Sequence, residues 1–209
     1  LLRSLRGACL FCTTLYTAPL SQPIERPSMV APDAELVELS SGHGFVEGPA
    51  VNGEGTLFFT DLSNGTINVL RDGTLSIFRN SRTDAANGLF FDENGHLYAC
   101  EGGSGRVTRT EPDGQISVLS EEFEGVRFNA PNDLVVARDG SVYFTDPYFG
   151  SPSTQPQPVK GVYRIAPDGA VVRVVDYLDR PNGIVLSSDQ STLYVTCLLY
   201  TSPSPRDNR

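Results

Sequence analysis

Four segments of this 209-residue chain follow one pattern: a two-residue turn signal, five or six mostly apolar positions, a polar turn, then an aromatic-rich strand. They run from Glu47-Gly48-Pro49 to Thr56-Leu57-Phe58-Phe59-Thr60-Asp61, from Asn87-Gly88 to His96-Leu97-Tyr98-Ala99-Cys100, from Asn132-Asp133 to Ser141-Val142-Tyr143-Phe144-Thr145-Asp146, and from Asn182-Gly183 to Thr192-Leu193-Tyr194-Val195-Thr196. The anchors at 47, 87, 132 and 182 are therefore 40, 45 and 50 residues apart, the period of a four-stranded propeller blade (roughly 40 to 50 residues). Between anchors the order repeats: Gly105–Thr110, the turn Pro112-Asp113-Gly114, then Gln115–Ser120; Gly161–Ile165, Pro167-Asp168-Gly169, then Val171–Val175; Thr66–Leu70, Arg71-Asp72-Gly73, then Thr74–Phe78. Each is an alternating strand, a hairpin signal and a second strand. A β-sandwich also strings short strands between turns, but it does not return the same strand order and anchor at every period. The repeat predicts an all-β propeller of about three and a half blades over residues 35–196.

Composition agrees: 20 Gly, 15 Pro, 8 Tyr and 11 Phe against a single Met favour short strands and tight turns. The net charge of −9, with Lys and Arg scattered, leaves no basic stripe for nucleic acid. No apolar run reaches the ~20 residues that span a bilayer, so no membrane partner is expected. Residues 1–34 read as a leader and linker. Arg3 and Arg6 precede the fairly apolar run Gly7–Leu20, the layout of a secretory signal diluted by threonines, and Ser21–Pro32 is rich in proline. This predicts a secreted or periplasmic protein, with a cytoplasmic location as the alternative. Cys9-Leu10-Phe11-Cys12 has C-x-x-C spacing, but no second pair or βαβ pattern accompanies it, so no zinc site or disulfide framework is expected. Residues 197–209, Cys197-Leu198-Leu199-Tyr200-Thr201-Ser202-Pro203 onward, resemble a translated sequencing-library adapter. Thr196 is accordingly expected to be the last genuine residue, and a propeller cut there exposes unpaired sheet edges.

The anchors differ in a way that carries chemistry. Glu47, Asn132 and Asn182 each stand at the entry to a blade's innermost strand, the position facing a propeller's central channel. One carboxylate and two amide carbonyls are hard oxygen donors of the kind Ca²⁺ takes, six to eight of them in irregular geometry, though another divalent cation is also compatible. Zinc would call for His or Cys. Asn-Gly and Asn-Asp are also ordinary turn formers; recurrence at blade spacing is what favours a ligand set. The only histidines are His43 and His96. His96 is expected to be exposed in its turn, neither histidine has a nucleophile beside it in sequence, and no G-x-S-x-G elbow occurs, which argues against a serine esterase. Asn64-Gly65-Thr66 fits a glycosylation sequon but reads first as a turn.

The segments F-V-E-G-P-A (45–50), N-G-L-F-F-D (87–92), A-P-N-D-L-V-V (130–136), Y-F-T-D-P (143–147) and R-P-N-G-I-V-L-S-S-D (180–189), in this order and spacing, resemble the gluconolactonase, senescence marker protein 30 and diisopropyl fluorophosphatase superfamily of six-bladed propellers. The resemblance implies a six-bladed ring truncated here. It also implies one catalytic Ca²⁺ held by Glu47, Asn132 and Asn182, and a general-base Asp in a later P-D-G motif beyond Thr196, so that the catalytic residue itself is unassigned. The implied activity is lactone hydrolysis, a carboxylic ester hydrolase reaction in which the metal polarises the carbonyl and a carboxylate activates water; the fragment alone is expected to be inactive. Asn87, Glu101, Asp146 and Arg127 are the expected substrate-binding residues, with Asp133 supporting the ligand set from behind. A small-molecule lactone is the expected partner. The alternatives are a phosphotriesterase-like hydrolase on the same site and a non-catalytic propeller that binds without metal.

Overall fold

The computed structural model describes Ala31 and residues 33–198. The chain divides into a unit Leu1–Glu38, whose described residues form no regular structure, and a unit Leu39–Arg209 that holds every strand of the described residues. The expected leader, Cys9, Cys12 and the tail from 199 onward lie outside the described residues.

Four-stranded antiparallel meanders make up the second unit. The first blade is β1 (Val46–Val51), β2 (Leu57–Asp61), β3 (Thr66–Arg71) and β4 (Thr74–Asn80), hydrogen-bonded in that order. The second is β5 (Ala86–Phe91), β6 (Leu97–Glu101), β7 (Arg106–Thr110) and β8 (Ile116–Ser120). A small hairpin, β9 (Glu122–Phe123) with β10 (Val126–Arg127), precedes the third blade, β11 (Leu134–Val136), β12 (Val142–Asp146), β13 (Gly161–Ile165) and β14 (Val171–Val175). A two-stranded sheet, β15 (Pro181–Leu186) with β16 (Leu193–Cys197), opens a fourth repeat. The fold is the all-β partial propeller that the repeat predicts, and the strands fall within a residue or two of their expected places. Turn chemistry explains the tightest corner: Asp72 and Gly73 both have positive φ (51° and 73°), the conformation that lets a two-residue loop follow the right-handed twist of its strands.

The core lies in layers between blades. Ala50, Phe58 and Ile67 of the first blade meet Ala86, Leu89, Leu97 and Ala99 of the second. Tyr98, Cys100 and Val107 meet Phe128, Leu134, Val142, Phe144, Tyr163 and Ile165 at the next seam. Val135 and Val162 meet Ile184 at the last. The second strands of the three four-stranded blades are almost wholly buried, whereas the outermost strand β4 has no buried position. The middle seam is the most aromatic: Phe144 stacks on Tyr163 at 5.5 Å and takes the edge of Phe128 at 4.9 Å.

Two elements were not read from the pattern. The β9–β10 hairpin has two-residue strands, too short for alternation to show; its signal was the turn pair Glu124-Gly125, both at positive φ. The other is the connection 147–160 between β12 and β13, which contains a 3-10 turn at Pro152–Thr154. The corresponding connections in the first two blades are the short turns 62–65 and 102–105.

Candidate functional site

Three of the four innermost strands depart from regular pairing at their anchors. The register shifts between Glu47 and Ala50 in β1, between Ala86 and Leu89 in β5, and between Pro181 and Ile184 in β15. A bulge inserts a residue and re-aims a side chain; Asn87 and Asn182 fall inside the irregularity, and Glu47 borders it, paired with Thr60. Asn132 reaches the same level just before β11. Asn87 and Asn132 follow one another closely because the residue after Asn87 is glycine: a Cβ on Gly88 would lie 2.6 Å from Asp133 Oδ1 and 2.7 Å from the Asn132 carbonyl. Only glycine allows that approach.

Backbone bonds fix the row. Gly88 N–H donates to the Asn132 carbonyl at 2.7 Å, and Asn132 N–H donates to the Thr145 carbonyl at 2.9 Å. Two buried hydroxyls cross from one blade to the next: Thr60 Oγ1 donates to the Asn87 carbonyl at 3.0 Å and Thr145 Oγ1 to the Asn182 carbonyl at 2.6 Å. The sequence reading missed these threonines, although the repeated Thr-Asp pair at 60–61 and 145–146 was their signal.

The side chains of Glu47, Asn87, Asn132 and Asn182 form no hydrogen bond or ion pair among the described residues, while their backbones are held. Asp133 sits among them with its carboxylate engaged, Oδ1 accepting from Leu134 N–H at 2.9 Å and Oδ2 from Ile184 N–H at 3.1 Å. Burial pushes its carboxyl above the usual range, those two donors oppose the shift, and the charge of Glu47 adds to it. Glu47 and Asp133 thus lie close enough for their charges to interact. Among the described residues no three His, Cys, Asp or Glu side chains are grouped so as to hold a metal ion, so a cation held here would need amide oxygens as well as carboxylates. Donors of that mixture suit a hard divalent ion, and the anchors fit it by chemistry.

Three expected substrate-binding residues are otherwise employed. Glu101 has no exposed surface; its oxygens take Arg79 Nη2 at 2.7 Å, Thr108 Oγ1 at 2.9 Å and Arg106 Nε at 2.6 Å. It is a buried ion-pair hub of the second blade. Asp146, equally buried, accepts from Asn129 N–H at 2.9 Å and Ala130 N–H at 2.8 Å, tying the approach to the third inner strand onto β12. Burial lifts its carboxyl to about 7 despite those donors and the charge of Arg127. Arg127 spends its guanidinium on the carbonyls of Gly103, Ser104, Phe128 and Asn129. Glu101 and Asp146 present no exposed group to a ligand, and Arg127 keeps one Nη2 N–H outside these bonds. Sequence could not distinguish a solvated strand end from these, because Arg79 and Arg106 approach Glu101 from separate strands.

The histidines are also partnered, contrary to expectation. His96 is half-buried, Nδ1 2.7 Å from Asp92 and Nε2 3.0 Å from Glu111. His43 Nε2 lies 2.7 Å from Ser40 Oγ and its Nδ1 3.5 Å from Asp61. Asp61 is at the same time saturated by Gly44 N–H, Phe45 N–H and both nitrogens of Asn64. Those donors outweigh burial and hold its carboxyl well below the usual range, so this Ser-His-Asp chain caps the entry to β1. Asn64 is bound into the same turn. A groove of about 550 Å³ runs along β3 and β4, lined by Val69, Arg71, Ile77 and Phe78, and shares no residue with the anchors.

The chain is 35% identical over 129 residues to the gluconolactonase of Zymomonas mobilis, covering 59% of this chain and 36% of that protein. It is 31% identical over 168 residues to the lactonase drp35 of Staphylococcus aureus, covering 77% and 50%. Among solved structures, a gluconolactonase of Xanthomonas campestris superposes with a TM-score of 0.70 at 38% identity, over 76% of this chain and 56% of that one. The chain thus spans half or less of these two curated relatives. The family model "SMP-30/Gluconolactonase/LRE-like region" matches residues 45–198, from just before the first anchor to the end of β16; the chain belongs to that family.

Proposed function

We propose that this chain carries part of the site of a calcium-dependent lactonase, and that the protein expressed from its complete gene hydrolyses small lactones of the sugar type. One observation carries the reading: the oxygen side chains of Glu47, Asn132 and Asn182, set at the entries of three inner strands, have no partner among the described residues while their backbones are fixed. The lactonase names of the relatives support it. Glu47 would supply charge to the cation, and Asn132 and Asn182 amide oxygens. Bound there, the ion would polarise a lactone carbonyl and stabilise negative charge developing on its oxygen. Asn87, at the same level and equally free, would orient a substrate hydroxyl. Asp133 keeps the third and fourth inner strands in register through Leu134 and Ile184. Activation of water is assigned to a carboxylate beyond residue 196.

Ring opening consumes one water and yields a hydroxy acid, so a pH-stat reads it directly. Turnover of aldonolactones that a chelator abolishes and Ca²⁺ restores is the expected result. Turnover indifferent to chelation overturns the metal role, and turnover of phosphotriesters without lactones replaces the substrate class.

A further inference from the structure

We infer that Thr145 is the positioning residue that sets Asn132 and Asn182 relative to each other, and through them the geometry of the cation site. This rests on the function proposed above. Thr145 is fully buried, 0% exposed, on β12. Its carbonyl accepts from Asn132 N–H at 2.9 Å, its N–H donates to the Asp133 carbonyl at 3.0 Å, and its hydroxyl donates to the Asn182 carbonyl at 2.6 Å while accepting from Asp133 N–H at 3.2 Å. One residue therefore bonds the backbones of both asparagines, which belong to different blades and are 50 positions apart in sequence. The short hydroxyl bond is the part that sequence can change without disturbing the strand.

The same bond recurs in another blade, but there it does not reach a proposed ligand. Thr60 occupies the equivalent place on β2 and holds Asn87, which is not among the proposed metal ligands. On β6 the equivalent residue is Cys100, and the Asn132 carbonyl takes its bond from Gly88 N–H instead. Only at the third position does the hydroxyl reach a proposed ligand. Outer contacts that orient metal ligands typically govern metal affinity by 10- to 100-fold.

The experiment compares Thr145→Val, Thr145→Ser and Thr60→Val in the protein expressed from its complete gene, with two readouts: Ca²⁺ affinity by titration calorimetry, and melting temperature in excess chelator. Valine keeps the shape and removes the hydroxyl; serine keeps the hydroxyl. The expected result is a loss of about tenfold in Ca²⁺ affinity for Thr145→Val, near-recovery in Thr145→Ser, and unchanged affinity in Thr60→Val despite a similar drop in melting temperature. Should the valine variant not fold, Thr145→Cys, which installs the residue present at position 100, takes its place. Undiminished affinity in Thr145→Val, or an equal loss in Thr60→Val, overturns the positioning role while leaving the lactonase reading intact. Failure of the unaltered protein to bind Ca²⁺ overturns both.

Discussion

Two rows of polar residues repeat at blade spacing, and they meet opposite fates. Glu47, Asn87, Asn132 and Asn182 begin the inner strands; Asp61, Glu101, Asp146 and Cys197 end the second strands. In the first row the backbones are bonded and the side chains are free. In the second the side chains are consumed: Asp61 and Asp146 each accept from the N–H groups 17 and 16 residues upstream, and Cys197 Sγ takes Arg180 N–H, again 17 upstream, at 3.3 Å. Recurrence alone therefore does not mark a ligand. What marks it is a polar side chain whose backbone the fold holds in place and which has no partner among the described residues, in contrast to the engaged second row.

The contrast breaks most visibly at Glu101. Glu101→Gln leaves Arg79 and Arg106 facing each other without their carboxylate, at a cost of about 3 kcal/mol in chemical denaturation; a loss within about 0.5 kcal/mol would mean the hub is dispensable and return Glu101 to the pool of ligand-binding candidates. Next comes Asp146, whose carboxyl binds its proton more tightly in the folded chain (about 7) than unfolded, near 3.8. A folded value raised in this way favours folding most below about pH 4 and progressively less as pH climbs to 7. The stability of the unaltered protein relative to Asp146→Asn should therefore decline over that window, by at most about 1.4 kcal/mol per pH unit. A flat difference would show that Asp146 stays ionised. The smallest effect is expected at the anchors. In chelator, Glu47→Gln should shift stability by less than about 0.5 kcal/mol, since no bond is lost and repulsion with Asp133 is relieved, yet the same change should weaken Ca²⁺ binding. A large stability loss without metal would place Glu47 in the structural row.

The fold was legible because turn residues and alternation recur: Asp72-Gly73, Asp113-Gly114 and Asp168-Gly169 each separate two strands. The anchors were legible for the same reason. The rest was hidden by tertiary distance. Glu101 depends on Arg79, 22 residues away on another blade's outer strand, and the seam-crossing bonds of Thr60 and Thr145 join blades whose proximity no local pattern reveals. His96 reads as a surface turn residue until Glu111 is brought against it from the end of β7.

Cys100 sits at the seam of the second and third blades with no accessible surface, its thiol pushed well above its ordinary value by burial and by the carboxylates of Asp133, Asp146 and Glu101. A thiol so shielded is inert to alkylation in the closed state. Its labelling, followed at the peptide that contains it, is a clock for how often those two blades separate, and the rate at which that clock runs with and without Ca²⁺ reports whether the ion clamps the seam or merely rests upon it.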